Sequence, residues 1–153
     1  MITFRAAKKE DKNWAFDLRT DCECAYITRH FGWDTDFQHQ LYNEEWRKTP
    51  PVIILYNGER AGFFCLEKED EVTFLRKFFV SADFRNRGIG TAVVKRLQKM
   101  FAESPTGIRL AVFHGNPSAS LYQRHGFILY KECSKYSYYC WNATNAKALS
   151  LNY

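Results

Sequence analysis

The segment Arg85-Asn86-Arg87-Gly88-Ile89-Gly90-Thr91 sets two guanidinium groups and two glycines where an amphipathic helix begins. The first N–H groups of a helix have no partner inside it, and the helix dipole adds partial positive charge at the same point. Gly88 and Gly90 carry no side chain, so an anion can approach the backbone closely. Arg85 and Arg87 place full charges beside it. Backbone donors, open space and flanking charge together suit a diphosphate. Two other phosphate-binding loops fit less well. A dinucleotide loop wants a third glycine and an acid about 20 residues on. Here Val93 takes the third glycine's place, Ser81 to Arg87 separates strand from glycines, and the stretch around Arg109 offers no acid. A Walker loop needs Gly-Lys-Ser/Thr, which does not follow.

The elements that must hold this segment follow from periodicity and turn chemistry. Ile2 to Ala6 alternates as a short strand. A helix starts near Asp11, with Trp14, Leu18, Cys22 and Tyr26 on one face, and Gly32 is placed to end it. Asp34-Thr35-Asp36 caps a second helix, and Thr49-Pro50-Pro51 stops it. Val52 to Tyr56, the hairpin turn Asn57-Gly58, Ala61 to Glu67, a charged turn at Lys68 to Glu71, and Thr73 to Val80 make a three-strand meander. Gly88 to Ala102 is an amphipathic helix, and Ile108 to Phe113 is a strand. Asn116-Pro117 opens a short helix that Gly126 ends. Phe127 to Lys131 and Tyr136 to Trp141 close the order as two strands. The sum is an α/β sandwich with a mixed sheet over residues 1–142, followed by a polar tail at 143–153.

A length of 153 residues suits one domain. The net charge of +5 is spread without a basic run, which speaks against nucleic acid as the main partner and for a local phosphorylated ligand. Five cysteines, an odd number without a C-x-x-C pair, speak against a disulfide framework and a zinc site. His30, His39, His114 and His125 do not stand at metal spacing, so no metal is expected. Met1 to Ala6 lacks an apolar signal core, and no stretch approaches membrane-spanning length. The expectation is a cytoplasmic protein in a reducing compartment, with no membrane association.

Arg85-x-x-Gly88-x-Gly90, after a strand ending Phe79-Val80, resembles the acetyl-CoA motif of GNAT (GCN5-related N-acetyltransferase) enzymes. Asn116-Pro117, Leu121-Tyr122 and His125-Gly126-Phe127 resemble the family's asparagine, tyrosine and closing Gly-Phe. Gly32-Trp33-Asp34 followed by Phe37-Gln38 is similar to a bacterial subgroup of mostly unassigned substrate. The resemblance implies a mixed, mostly antiparallel seven-stranded sheet flanked by about four helices. It implies an N-acetyltransferase that moves an acetyl group from acetyl-CoA to a primary amine by direct attack in a ternary complex. The amides of Arg87, Gly88, Ile89, Gly90 and Thr91 would bind the pyrophosphate. The Phe78-Phe79-Val80 backbone would pair with the pantetheine arm like an added strand, and its amides could polarise the thioester. Asn116 would bond the pantetheine amide, and Tyr122 would sit near the sulfur. The partners implied are acetyl-CoA and an amine-bearing acceptor, and a homodimer is compatible with the resemblance.

Acyl transfer to an amine of pKa about 10.4 needs a proton acceptor, and a thiolate of pKa about 8.5 leaves more readily when protonated. Tyr122 is the expected donor. The acceptor of the proton is harder to place. Many members of the resembled family carry a glutamate on the strand before the cradle, where this chain has Arg76 and Lys77. Glu67 and Glu71 fall near a hairpin end. Asp34 is the remaining candidate, with helix capping as its competing role, and a water path along backbone carbonyls is the other route. Tyr26, His30, Trp33, Asp34 and Phe37 would wall the acceptor pocket, unless they simply pack the core. The missing strand carboxylate also fits a catalytically silent acyl-CoA-binding module.

Overall fold

The computed structural model describes residues 1–144; the proposed tail, from 145 on, lies outside the described residues. The strands are β1 (Ile2–Ala6), β2 (Val52–Tyr56), β3 (Glu59–Glu69), β4 (Val72–Val80), β5 (Ile108–Phe113), β6 (Ile128–Glu132) and β7 (Tyr136–Trp141). The helices are α1 (Lys12–Phe31), α2 (Thr35–Lys48), α3 (Ile89–Met100) and α4 (Ala119–Arg124), with short 3-10 turns at Lys9–Asp11 and Ala82–Phe84. The seven strands form one sheet in the order β1-β2-β3-β4-β5-β7-β6. β4 and β5 run parallel, whereas β1–β2, β2–β3, β5–β7 and β6–β7 are antiparallel. The expected mixed, mostly antiparallel sheet with four helices is the architecture found. Among the described residues, no helix is long and apolar enough to cross a membrane.

The chain divides into two compact units: Met1–Leu66 with Lys77–Arg87, and Glu67–Arg76 with the described residues from Gly88 on. In the first, Asn57 and Gly58 take φ of 49° and 86°, the left-handed pair that a two-residue hairpin needs. Ala15, Leu18, Tyr42, Ile53, Phe63 and Cys65 form its core, with Trp14, Trp46 and Phe79 packed against them. The α1 stripe is broader than the four-residue spacing implied. Ala15, Leu18 and Ile27 are buried, and so is the charged Arg19.

Asp11 anchors the start of α1. It accepts from Arg5 at 2.7 and 3.0 Å, from Arg60 at 3.1 Å and from the Lys8 N–H at 2.8 Å. The Arg5 guanidinium, helped by Lys8 and Arg60, holds this carboxyl far below the usual aspartate range despite its burial. Asp11→Asn is expected to cost roughly 2–4 kcal/mol in urea unfolding at pH 7, because it removes the buried carboxylate that Arg5 and Arg60, each partly exposed, bond to. A depressed folded pKa means the stabilisation is complete above the unfolded value of about 4 and fades below it. The gap between wild type and variant therefore narrows as pH falls from about 4 towards 2.

In the second unit, α3 buries Ile89, Val93, Val94 and Leu97. The β3–β4 turn is shorter than the charged stretch suggested, because Glu67 and Glu69 stay on their strand and pair with Arg76 at 3.1 and 2.7 Å. The short helix α4 begins at Ala119 rather than at Asn116-Pro117. Asn116 instead closes a turn ahead of it, its Oδ1 accepting the Ser118 N–H at 2.9 Å.

Candidate active site

Gly88 is the N-cap of α3, with φ 77° and ψ 11°, and Asn86 is also left-handed at φ 62°. Both conformations suit residues with little or no steric demand at Cβ. A Cβ built on Gly88 meets nothing within 4 Å, so the space before the helix is open. The Ala92 N–H makes the first bond of the helix, to the Gly88 carbonyl at 3.0 Å. Helix geometry leaves the N–H groups of Ile89, Gly90 and Thr91 without a partner inside α3. These donors and this open space fit an incoming diphosphate. Gly90 has a further reason that spacing did not reveal: a Cβ there would lie 3.1 Å from Leu121 Cδ2 of α4, so this glycine also lets α4 pack closely on α3.

The preceding residues belong to the first unit. Phe78, Phe79 and Val80 end β4 half-buried. Phe79 packs edge-on against Phe63 with centroids 5.4 Å apart. The Ser81 N–H bonds the Ala61 carbonyl at 2.7 Å, fixing the strand end. Arg85 is engaged in a way the sequence did not suggest: its Nε donates to the Val80 carbonyl at 3.1 Å and its Nη2 to Cys22 Sγ at 3.5 Å. The Arg87 guanidinium stands over the rings of Phe84 and Tyr56 at 5.3 and 5.4 Å. In the second unit, Tyr122 is buried and packs edge-on against Phe127 at 5.5 Å. Burial lifts its hydroxyl above the ordinary tyrosine range, so it keeps its proton at neutral pH.

The proposed acceptor residues are placed unevenly. Asp34 is exposed and caps α2, its Oδ1 accepting the Phe37 N–H at 3.0 Å. Phe37 is 57% exposed, whereas Tyr26, His30 and Trp33 are half-buried. The Arg19 guanidinium lies 5.9 Å from the Trp33 ring centroid. Arg19 opens a charged cluster that sequence reasoning missed. Its Nε lies 3.3 Å from Glu23 Oε1, one helical turn on. Lys77 of β4 donates to Glu45 of α2, and both Glu23 and Arg19 act on its charge. Burial pushes the Lys77 ammonium down to about 8 and the Glu23 carboxyl above the ordinary glutamate range. The available signal was the Arg19–Glu23 pair at i,i+4 on the apolar side of α1, a spacing at which opposite charges meet.

No group of three or more His, Cys, Asp or Glu that could hold a metal occurs among the described residues. The profile described as Acetyltransferase (GNAT) family matches residues 15–127. The mycothiol acetyltransferase of Corynebacterium glutamicum is 30% identical over 100 residues, covering 63% of this chain and 34% of that protein. The alignment thus takes in about a third of the curated relative's length. A Pyrococcus horikoshii OT3 structure superposes with TM-score 0.72 at 18% identity, covering 91% of this chain and 96% of the other. The PaiA N-acetyltransferase of Thermoplasma acidophilum, solved with coenzyme A, gives TM-score 0.67 at 12% identity, covering 92% and 99%. The chain belongs to the GNAT acetyltransferase family, whose fold serves acyl transfer.

Proposed function

We propose that this protein transfers the acetyl group of acetyl-CoA to a primary amine by direct attack in a ternary complex. The observation that carries the reading is the start of α3, where an open space faces helix N–H groups left over by helix geometry. The coenzyme A complex of the PaiA enzyme and the acetyltransferase activity of the corynebacterial relative support it. The amides of Arg87 to Thr91 would hold the pyrophosphate, and the Phe78–Val80 backbone the pantetheine arm. Asn116 would bond a pantetheine amide, with its Oδ1 already serving the turn before α4. Acetyl-CoA supplies the activated acyl group. Tyr122, protonated at neutral pH, would donate to the departing thiolate.

Isothermal titration with acetyl-CoA and coenzyme A, followed by thiol release over a panel of amines, tests the reading. Absence of heat with either ligand would overturn it. Tyr122→Phe is expected to lower kcat about a hundredfold while shifting acetyl-CoA affinity less than threefold. Equal turnover in single-turnover assays would remove Tyr122 from the chemistry. A second reading, a silent acyl-CoA-binding module, is favoured by one observation: Arg76 and Lys77 stand on the strand where many members of the family carry a carboxylate, and Arg76 is occupied by Glu67 and Glu69. That reading expects binding with no acceptor in the panel acetylated.

A further inference from the structure

We infer that Glu23 is the carboxylate that takes the proton from the acceptor amine, an inference that rests on the acetyl-transfer reading above. Three other carboxylates are engaged elsewhere: Asp34 caps α2, and Glu67 and Glu69 hold Arg76. Glu23 stands differently. One hydrogen-bonded bridge ties its turn of α1 to the end of β4, and the charge of Lys77 on β4 acts on Glu23 as well. At one side Arg85 links Cys22, the residue before Glu23, to the Val80 carbonyl. At the other, Glu23 and Lys77 attract each other, and Lys77 immediately precedes Phe78–Val80. The turn of α1 that carries Glu23 is thereby tied to the strand segment that would present the thioester. Its side chain is 23% exposed, so an amine can reach it while most of the group stays out of water.

The charged groups acting on Glu23 are Arg19 from its own helix and Lys77 from β4, and Lys77 is itself bonded to Glu45 of α2. Arg19 is 4% exposed, and its Nη1 makes no hydrogen bond among the described residues. Its Nε lies 3.3 Å from the Glu23 carboxylate, which makes it a positioning residue for that group. Burial raises the Glu23 carboxyl above the ordinary glutamate range, with Arg19 and Lys77 opposing that rise, so it is a better proton acceptor than a free glutamate.

In the step, Glu23 takes one proton from the ammonium of the acceptor. The freed nitrogen lone pair attacks the thioester carbonyl carbon, and the C–N bond forms as the C–S bond breaks. Nitrogen gives up its second proton as the amide forms, and the departing thiolate takes up one proton. Glu23 returns its proton to solvent. Acetylated amine, free coenzyme thiol and one proton are the products.

The test uses the full chain and a named panel: spermidine, lysine amide, and short peptides with free alanine or serine N-termini, each followed by thiol release. Glu23→Gln should lower kcat about a hundredfold on any amine the wild type acetylates, and the acidic limb of kcat/KM against pH should vanish. Its acetyl-CoA Kd should stay within twofold, which also confirms that the variant is folded. Lys77→Met removes a cation facing Glu23 and should move the acidic limb to higher pH. Wild-type turnover in Glu23→Gln, or an acidic limb that Lys77→Met leaves in place, overturns the role of Glu23 alone. A wild type that binds acetyl-CoA but acetylates none of the panel overturns the transfer reading, and this role with it. A wild type that binds neither acetyl-CoA nor coenzyme A overturns both at an earlier step.

Discussion

Gly88→Asp is expected to weaken coenzyme A and acetyl-CoA binding at least a hundredfold, about 2.8 kcal/mol, while the protein stays folded. The two halves of this expectation have separate causes. Aspartate is among the residues that enter the left-handed region at modest cost, and the space around a Cβ at position 88 is empty. A carboxylate at a helix start also favours the helix dipole, so thermal stability should change by no more than about 1 kcal/mol. The same carboxylate would occupy the opening before α3 and repel a diphosphate from the Ile89, Gly90 and Thr91 N–H groups. Gly88→Ala separates charge from shape, because it adds left-handed strain of about 1–2 kcal/mol without a charge. Calorimetry on both variants decides the matter. Unaltered affinity in Gly88→Asp would mean that the start of α3 does not hold the phosphates.

The second large effect concerns Gly62, which no motif singled out. Gly62 is buried in β3, and a Cβ built on it would lie 2.1 Å from the Phe79 carbonyl oxygen and 3.1 Å from Val80 Cα. The obstacle is backbone, so no rotamer change relieves it. Gly62→Ala would force the β3 and β4 backbones apart by on the order of 1 Å and loosen the Phe63–Phe79 contact. The expected cost is about 2–4 kcal/mol, read as a drop of roughly 5–15 °C in Tm. Because the displaced residues are those proposed to carry the pantetheine arm, acetyl-CoA affinity should fall about tenfold in the fraction that remains folded. A variant that melts with the wild type would show that the strands do not approach so closely.

The parts of the site that were readable in advance are those governed by neighbours in the chain. The left-handed turn at Asn57-Gly58, the end of α1 at Gly32, the cap of α2 at Asp34 and the start of α3 at Gly88 each answer to a local dihedral or hydrogen-bond requirement. Asp34 shows the limit of such reading. The same residue could be proposed as a base or as a cap, and the 3.0 Å bond from the Phe37 N–H identifies the cap. Arg85 shows it again: as a free charge it suited a phosphate, yet it bonds a carbonyl five residues back and a thiol on α1.

By itself the amino-acid order determined the succession of strands and helices, the place of the glycine-bearing helix start and the family, because periodicity, capping and turn chemistry act over a few residues. Only the tertiary structure decided that Arg19 is buried with Glu23 beside it, that Lys77 meets Glu45, that Gly62 makes room for Phe79 and that Gly90 makes room for Leu121. Most of these relations join residues well beyond one helical turn or hairpin apart in the chain. Even the Arg19–Glu23 pair, one turn apart, takes its burial from the packing around α1 rather than from its spacing. Close packing and desolvation set the chemistry of such groups, and neither leaves a periodic trace in the sequence.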